Sequence, residues 1–361
     1  MNKSEHSFVL SSVTKWNDLR AAKKTFAERL IHTPRAEAAR AQAGRMISAR
    51  GLSAAINPAP MENVVGVGIG EKISDDKETG ILSVKFLVQM KFATSNLESK
   101  HILPKEINGV PTDVEEVGIF RRLRATGAAR ARQPAAAMPN PKVKIRPAQP
   151  GCSIGFQDPN NQFVMAGTFG AVVKDRSGTY VLSNNHVLAN ENSLQPGAAI
   201  YQPGLLDGGN PAIDQIAALT KFITLETQKP NTVDCAIAKA SNQSILSKDI
   251  LHIGAPQGTA VAAIDMAVHK FGRTTSYSVG RVTSIDTDVT VQYDIGKLTF
   301  IGQIIIVGAG RLPFSNAGDS GSLILQRVTN KAVGLLFAGS SSHTIANHID
   351  DVLKALGVTL A

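Results

Sequence analysis

Cysteine is scarce in this sequence, which has only Cys152 and Cys235 among its 361 residues. Small secreted proteins that depend on disulfides carry more, so this count excludes a disulfide-stapled class and favours a reducing compartment. A single bridge between the two cysteines stays open on the sequence alone. The first residues mix Lys3 and Glu5 with polar side chains and lack the apolar core of a secretory signal. We therefore expect a cytoplasmic protein.

Long apolar runs are also missing. A membrane-spanning helix needs roughly 18 apolar residues, and the longest run here, 298–308, contains Gln303 and two glycines. The sequence has no close His, Cys, Asp and Glu cluster at metal-ligand spacing, so no metal is predicted. The glycine-rich stretch 65–70 leads into a charged turn and another strand rather than a helix, so it fails the context of a phosphate loop. We predict no cofactor and no membrane partner.

Acidic residues are under-represented in the front of the chain. Residues 1–150 have 24 lysines and arginines against 14 aspartates and glutamates, whereas the remainder has 14 against 15. This basic region is a candidate surface for an activating protease or a partner protein. Aromatic residues are only 5% of the chain and do not interleave with the basic ones. That pattern argues against nucleic acid as a partner.

The front half divides by pattern into three parts. Apolar residues at helical spacing in 11–33 and an Ala/Arg-rich run at 36–46 predict two helices, which form a helical arm over 1–59. Two β-rich runs, at 63–71 and 80–92, predict a hairpin within a small α+β domain at 60–120. Residues 121–150 have eight basic residues, several prolines and no acidic residue. We predict a flexible, partly extended linker there that is open to proteolysis.

From residue 151 to 361 the pattern is predominantly β. Short runs rich in β-branched residues alternate with turn residues, which predicts an all-β sandwich or barrel. The runs lie at 167–173, 179–183, 233–239, 267–271, 280–285, 289–293, 301–307, 322–326 and 332–337. Apolar residues at i, i+3, i+4 and i+7 from Ile349 predict a closing helix that ends before Gly357.

One short turn has the composition of a nucleophile site. Ser320 lies in the sequence Gly-Asp-Ser-Gly-Ser, where small residues permit a sharp turn. In such a turn the backbone N–H groups of Gly318 and Ser320 can converge on a developing oxyanion. Acyl transfer also requires a base beside the serine and a group that orients the base.

His186 and Asp234 are the candidates for those two roles. His186 follows an apolar strand and so is expected to face a cleft. Asp234 leads into an apolar strand, where a carboxylate is costly unless it is paired, and His186 would be its partner. Asp207 and Asp214 lie in a glycine-containing loop and fit turn or surface positions instead.

The chain order is His186, Asp234, Ser320, with separations of 48 and 86 residues. The segments 182–188, 233–237 and 318–322 resemble the three signature blocks of trypsin-like, chymotrypsin-fold serine peptidases. Segments 151–155, 270–275 and 334–339 resemble more closely the intracellular bacterial peptidases related to the plant narrow-leaf proteases. The resemblance covers most of residues 60–361 and is most specific after residue 151.

The resemblance implies a mainly β chain with a double six-stranded β-barrel protease domain, His186 and Asp234 on the first barrel and Ser320 on the second. It also implies roles in substrate binding for six residues. The edge strand that pairs with substrate backbone would be Phe337, Ala338 and Gly339, and one wall of the primary specificity pocket would include Phe314, Ser315 and Asn316. The wall has no acidic residue, which favours an apolar substrate side chain in this pocket. Ser315 and His343 could instead bind a polar or acidic substrate side chain.

We therefore expect a serine endopeptidase that acts on protein or peptide substrates through an acyl-enzyme. No activation cut of the digestive type is evident before residue 151, so Asp319 is expected to pair within the chain, and cleavage within 121–150 is a candidate means of regulation. Two alternatives remain. One is an inactive protease-fold binding or scaffold protein, and the other is an esterase or another serine acyltransferase, which uses the same chemistry.

Overall fold

The structure is a computed structural model that describes residues 16–32, 59–126, 138–310 and 312–361. The helix predicted at 36–46 lies outside these residues. Within them, no helix is long and apolar enough to cross a membrane.

The front region is a helix packed on a small sheet. Leu19, Leu30 and other apolar residues of the first helix are buried against the first two strands, which confirms the helical spacing near the amino terminus. Asp75 and Asp76 adopt positive φ and form the two-residue turn of the predicted hairpin. The elements are helix α1 (Trp16–Leu30), helix α2 (Pro60–Asn63) and strands β1 (Val64–Ser74), β2 (Lys77–Val88), β3 (Glu106–Ile107) and β4 (Val110–Glu116).

Two short strands occupy the start of the predicted basic linker. They are β5 (Arg121–Arg122) and β6 (Ala125–Thr126). The sequence predicts an extended, flexible segment here, yet residues 121–126 pair with strands of two different β-barrels. The division into arm, domain and linker remains a prediction.

The first barrel begins after this segment. Its strands are β7 (Ser153–Phe156), β8 (Met165–Thr168), β9 (Ala171–Asp175), β10 (Gly178–Ser183), β11 (Ala199–Tyr201), β12 (Gln215–Phe222) and β13 (Ala236–Ala240), with the one-turn helix α3 (Asn185–Leu188) after β10. In the order β9-β10-β13-β12-β11-β7-β8 the two end strands are consecutive in the chain, separated only by residues 169 and 170, so β8 and β9 together count as the sixth strand of this barrel. Both cysteines lie in its core as free thiols, and burial raises the pKa of Cys152 to about 12.

The second barrel consists of β14 (Ala267–Gly272), β15 (Ser276–Tyr293), β16 (Gly296–Gly308), β17 (Leu323–Gln326), β18 (Ala332–Gly339) and β19 (His343–His348). The order β14-β17-β18-β19-β16-β15 closes through pairing of β14 with β15. The predicted double six-stranded barrel is thus confirmed. The chain ends with helix α4 (Ile349–Leu356), as predicted, and strand β20 (Thr359–Leu360), which returns to β9.

The front sheet and the second barrel form one continuous sheet. β1 pairs antiparallel with β15, with Gly66 opposite Val289, so eleven strands join. A Cβ at Gly68 would lie 2.2 Å from Oγ1 of Thr287, which shows why glycine is needed where β1 crosses β15. The glycines of 65–70 therefore permit close packing of strands rather than phosphate binding.

Candidate active site

The local structure positions the three predicted catalytic residues at the junction of the barrels. His186 lies in the one-turn helix α3, directly after β10, and Asp234 lies two residues before β13, which pairs with β10. Ser320 lies in the turn before β17. The Ser320 carbonyl accepts a hydrogen bond from the N–H of Thr168 on the first barrel at 2.8 Å, so the turn packs on the strand near α3.

His186 and Asp234 form a buried pair. Nδ1 of His186 lies 2.5 Å from Oδ2 of Asp234, and both side chains have no solvent exposure. The backbone N–H of His186 also donates to Oδ1 of Asp234 at 3.3 Å. A carboxylate on Nδ1 fixes the ring orientation and leaves Nε2 as the nitrogen that can take a proton. Among the described residues, Nε2 has no hydrogen-bond partner.

Tyr293 is a functional candidate that the sequence reasoning missed. Its hydroxyl donates to Oδ2 of Asp234 at 2.6 Å from the far end of β15, on the other barrel. Burial, together with the charge of Asp234, raises the pKa of Tyr293 well above its ordinary value. No motif marks Tyr293, because its role depends only on the packing of two barrels.

Ser320 is not bonded to His186 in this structure. Its Oγ donates to the carbonyl of Phe337 at 3.0 Å. The structure therefore brings the three residues to one junction but makes only the His186–Asp234 half of the triad.

The turn before Ser320 requires glycine at position 318. Gly318 has φ of +100°, and a Cβ there would lie 2.4 Å from Oγ1 of Thr274, so only glycine fits. Its N–H donates to the carbonyl oxygen of Leu123. The predicted Gly318 donor is thus occupied by a peptide carbonyl of the chain itself.

Asp319 has a partner inside the chain. It accepts hydrogen bonds from the N–H groups of Thr274 and Thr275, at 2.8 and 3.1 Å, and from the Thr275 hydroxyl at 2.8 Å. Nζ of the fully buried Lys270 lies 3.5 Å from its Oδ2. Burial lowers the pKa of Lys270, whereas Asp319 opposes that change. This cradle holds the turn without any freed amino terminus.

The residues of the predicted pocket wall differ in their exposure and make contacts within the chain. Phe314 is buried, and the Ser315 hydroxyl shares a hydrogen bond of 2.5 Å with Thr344, whereas Asn316 is exposed and its backbone N–H donates to Asp319. His343 contacts Oε1 of Glu115, on β4 of the front sheet, at 3.0 Å. In this structure His343 is therefore paired within the chain.

The predicted substrate edge is also occupied. Ala338 and Gly339 of β18 pair antiparallel with Arg122 and Arg121 of β5, and the Phe337 carbonyl accepts from the N–H of Leu123 at 3.3 Å. The pairing explains why His186 and Ser320 are inaccessible. In the described residues no group of three or more His, Cys, Asp and Glu could hold a metal ion.

No protein-family model matches the sequence, and the search of curated proteins finds no match. Among solved structures, protease A of Thermobifida fusca matches with 18% identity over 59% of this chain and 97% of its own, at a TM-score of 0.42. A glutamic acid-specific serine protease with a histidine triad in substrate binding matches with 19% identity over 59% and 100%, at a TM-score of 0.42. The Nocardiopsis protease NAPase matches with 15% identity over 59% and 99%, also at 0.42.

Proposed function

We propose that this chain is a serine endopeptidase that cuts protein or peptide substrates. One observation carries the proposal. The buried His186–Asp234 pair, with its contact of 2.5 Å, lies at the junction where the Gly318 N–H already binds a peptide carbonyl. Acyl transfer by a serine requires two features around it: a histidine base oriented by a carboxylate, and a hydrogen-bond donor for the carbonyl oxygen of the substrate.

The mechanism begins with rotation of the Ser320 hydroxyl from the Phe337 carbonyl toward Nε2 of His186. Ser320 Oγ attacks the substrate carbonyl carbon while His186 takes its proton, and Asp234 stabilises the resulting imidazolium. The oxyanion accepts from the N–H groups of Gly318 and Ser320. His186 then protonates the leaving amine, and water hydrolyses the acyl-enzyme by the same base catalysis.

The finer classification is also proposed. The motifs at 270–275 and 334–339 support the intracellular bacterial peptidases related to the plant narrow-leaf proteases as the nearest group. Two free, buried cysteines are consistent with a reducing cytoplasm. Cleavage within the basic segment 121–150 would regulate the enzyme, by a separate activating protease or by the chain itself.

An inactive binding protein of the same fold is the second candidate. The specific observation in its favour is that Ser320 Oγ bonds to Phe337 rather than to His186. The strand β5 also fills the edge that a substrate would use. These features equally describe an enzyme whose cleft is blocked, so a reactivity measurement has to separate the two.

A fluorophosphonate probe on the full chain provides that measurement. We expect covalent labelling at Ser320, detected by peptide mass spectrometry, to be slow in the native protein, whose cleft β5 fills, and faster in Leu123→Asp, which is designed to empty the cleft. His186→Ala should slow labelling by on the order of 10⁴-fold, whereas the matched control His101→Ala, on the front region, should leave it unchanged. Absence of labelling in both backgrounds would refute the enzyme and favour the binding protein. Cleavage of a peptide library then separates a peptidase from an esterase.

A further inference from the structure

The chain's own segment 121–126 crosses the candidate active site in the manner of a substrate. Its first part, β5, runs antiparallel to β18, with Arg121 opposite Gly339 and Arg122 opposite Ala338. Its last part, β6, pairs antiparallel with β8 of the other barrel, with Ala125 opposite Ala166. Backbone pairing on both sides holds the intervening residues, Leu123 and Arg124, across the junction of the barrels.

Leu123 makes two of the backbone contacts that the acyl side of a scissile bond requires. Its N–H donates to the Phe337 carbonyl, and its own carbonyl accepts from the Gly318 N–H of the oxyanion turn. Its side chain is 8% exposed and belongs to the apolar cluster that includes Phe314 and Leu336. Cδ1 of Leu123 lies 3.1 Å from the position that a Cβ on Gly339 would take.

Arg124, on the leaving-group side of the Leu123–Arg124 bond, is held by contacts of its side chain. Its Nη1 donates to Oδ1 of Asn190 at 2.7 Å, and its Nη2 to Oδ2 of Asp294 at 3.3 Å. The guanidinium also stacks over the ring of Phe163, with 4.8 Å to the centroid. The peptide bond between Leu123 and Arg124 is therefore the one whose carbonyl lies at the Gly318 N–H, two residues before Ser320.

We infer that the Leu123–Arg124 bond is a cleavage site of this same chain, cut intramolecularly by Ser320. The inference rests on the proposed function and names the bond and the side chain preference of that site. Ser320 Oγ bonds to the Leu123 carbonyl carbon as His186 takes the hydroxyl proton. The C–N bond to Arg124 then breaks, and His186 returns the proton to the Arg124 nitrogen. Water hydrolyses the Leu123 ester, which leaves a carboxylate on Leu123 and restores the Ser320 hydroxyl.

The composition of the cleft also assigns a substrate class. The pocket that holds Leu123 is apolar, so peptides with leucine or a similar side chain on the acyl side of the cut should be preferred. A charged side chain in that pocket would lose its hydration without a partner. The sequence allows either an apolar substrate side chain in this pocket or a polar or acidic one. The apolar side chain is now favoured, because His343 is already paired with Glu115.

The test compares full-length native protein with Ser320→Ala, Leu123→Asp and Leu123→Ala, each by intact mass and amino-terminal sequencing. The native chain should give fragments of 123 and 238 residues with a new terminus at Arg124, and Ser320→Ala should stay whole. Leu123→Asp should cut at least 100-fold more slowly, and Leu123→Ala at an intermediate rate that keeps the test valid if the aspartate variant misfolds. The matched control Ile119→Asp, an exposed apolar residue of the same segment, should cut like the native chain.

Two further outcomes decide the inference. The fraction of chain cut per unit time should not change with protein concentration. In a mixture, active protein should not cut Ser320→Ala. Cutting that accelerates with concentration would overturn the intramolecular step. A cut at another bond, or no cut while the fluorophosphonate labels Ser320, would overturn the inference and leave the proposed function intact. No cut and no labelling in any variant would remove both.

Discussion

At the scale of single residues, Asp234 is held by side chains and backbone from both barrels. His186 contacts it from the first barrel and Tyr293 from the second. Its backbone is fixed as well, because Asn347 accepts from its N–H at 3.0 Å and Asn184 donates to its carbonyl at 2.8 Å. The orientation of the His186 ring thus depends on the docking of one barrel on the other.

This geometry predicts a measurable role for the Tyr293 hydroxyl. Tyr293→Phe removes a buried, charge-assisted hydrogen bond but keeps the ring, which stacks on Phe300 with centroids 5.8 Å apart. Such a bond contributes about 1.5–3 kcal/mol, so we expect fluorophosphonate acylation to slow by about 10- to 150-fold. The control Tyr277→Phe removes a hydroxyl that contacts His269 instead. Equal rates for Tyr293→Phe and native protein, with folding unchanged, would contradict the role.

The residue-level motifs were predictable because each has a local sequence cause. Gly318 and Ser320 lie in one short turn, and His186 lies in the one-turn helix after β10, so turn composition, strand context and chain order predicted their roles. Tyr293 and Leu123 have no such local cause. Tyr293 contacts Asp234, which is 59 positions away in the chain, and Leu123 contacts Gly318, which is 195 positions away. No periodicity in a single sequence reveals contacts over such separations.

At the scale of elements, strand β4 of the front sheet is tied to β19 by charge. Glu115 contacts His343 at 3.0 Å and Nζ of Lys85 at 2.7 Å. Burial alone would raise the pKa of Glu115, but the hydrogen bond with His343 and the charge of Lys85 lower it to about 2. The other charged group facing Lys85 is Asp113, at 3.4 Å.

The lowered pKa predicts an acid-sensitive contribution to stability. A carboxyl whose folded pKa lies below its unfolded value stabilises the protein above about pH 4.5, and this contribution is lost as the pH falls toward 2. Glu115→Gln should therefore lower the free energy of unfolding, by at most about 3 kcal/mol at pH 7, with the difference from native shrinking between pH 4.5 and 2. Urea unfolding at several pH values measures it, with Glu116→Gln as the neighbouring control. A difference that stays constant with pH would refute this role for Glu115.

Element prediction succeeded for runs rich in β-branched or aromatic residues and failed for strands that are short or that mix polar with apolar side chains. The runs at 179–183 and 267–271 are strands, whereas β7, β11, β12 and β19 were missed. β11 has three residues, and β19 mixes polar with apolar side chains, with the sequence His-Thr-Ile-Ala-Asn-His. Residues 280–285 and 289–293 belong to one long strand, β15, whose register shifts interrupt its apolar pattern.

At the scale of the whole molecule, the front region and the second barrel share one apolar core. Val65, Leu87 and Phe120 from the front lie in the same buried cluster as Phe300 and Phe337 from the barrel. The sequence predicts a separate small domain because composition changes at residue 121. Composition cannot show that β1 continues the barrel sheet, since that depends on which strand edges are left open.

This shared core predicts the fate of the front fragment after cleavage at Leu123–Arg124. The fragment should remain bound, because β1 stays paired with β15 and Nζ of Lys23 stays 2.6 Å from the buried Oδ1 of Asp288. Burial of the shared apolar cluster adds to these contacts, since apolar area removed from water contributes about 25 cal/mol per Å². We expect the two fragments to co-elute at one-to-one stoichiometry on gel filtration of cut protein.

The bound fragment also has a functional consequence for the cut enzyme. With Leu123 still in its apolar pocket, its new carboxylate would lie at the Gly318 N–H and compete with substrates. Peptidase activity of cut protein should therefore rise when the front fragment is stripped off in urea and the remaining chain is refolded, or when Asp288→Asn weakens its anchor. Arg327→Gln, a charge change on a turn of the second barrel, serves as the control. Two results would show that the front region does not block the site after cleavage. One is separation of the two fragments in native buffer. The other is peptidase activity that does not rise after stripping, although the refolded chain still reacts with fluorophosphonate.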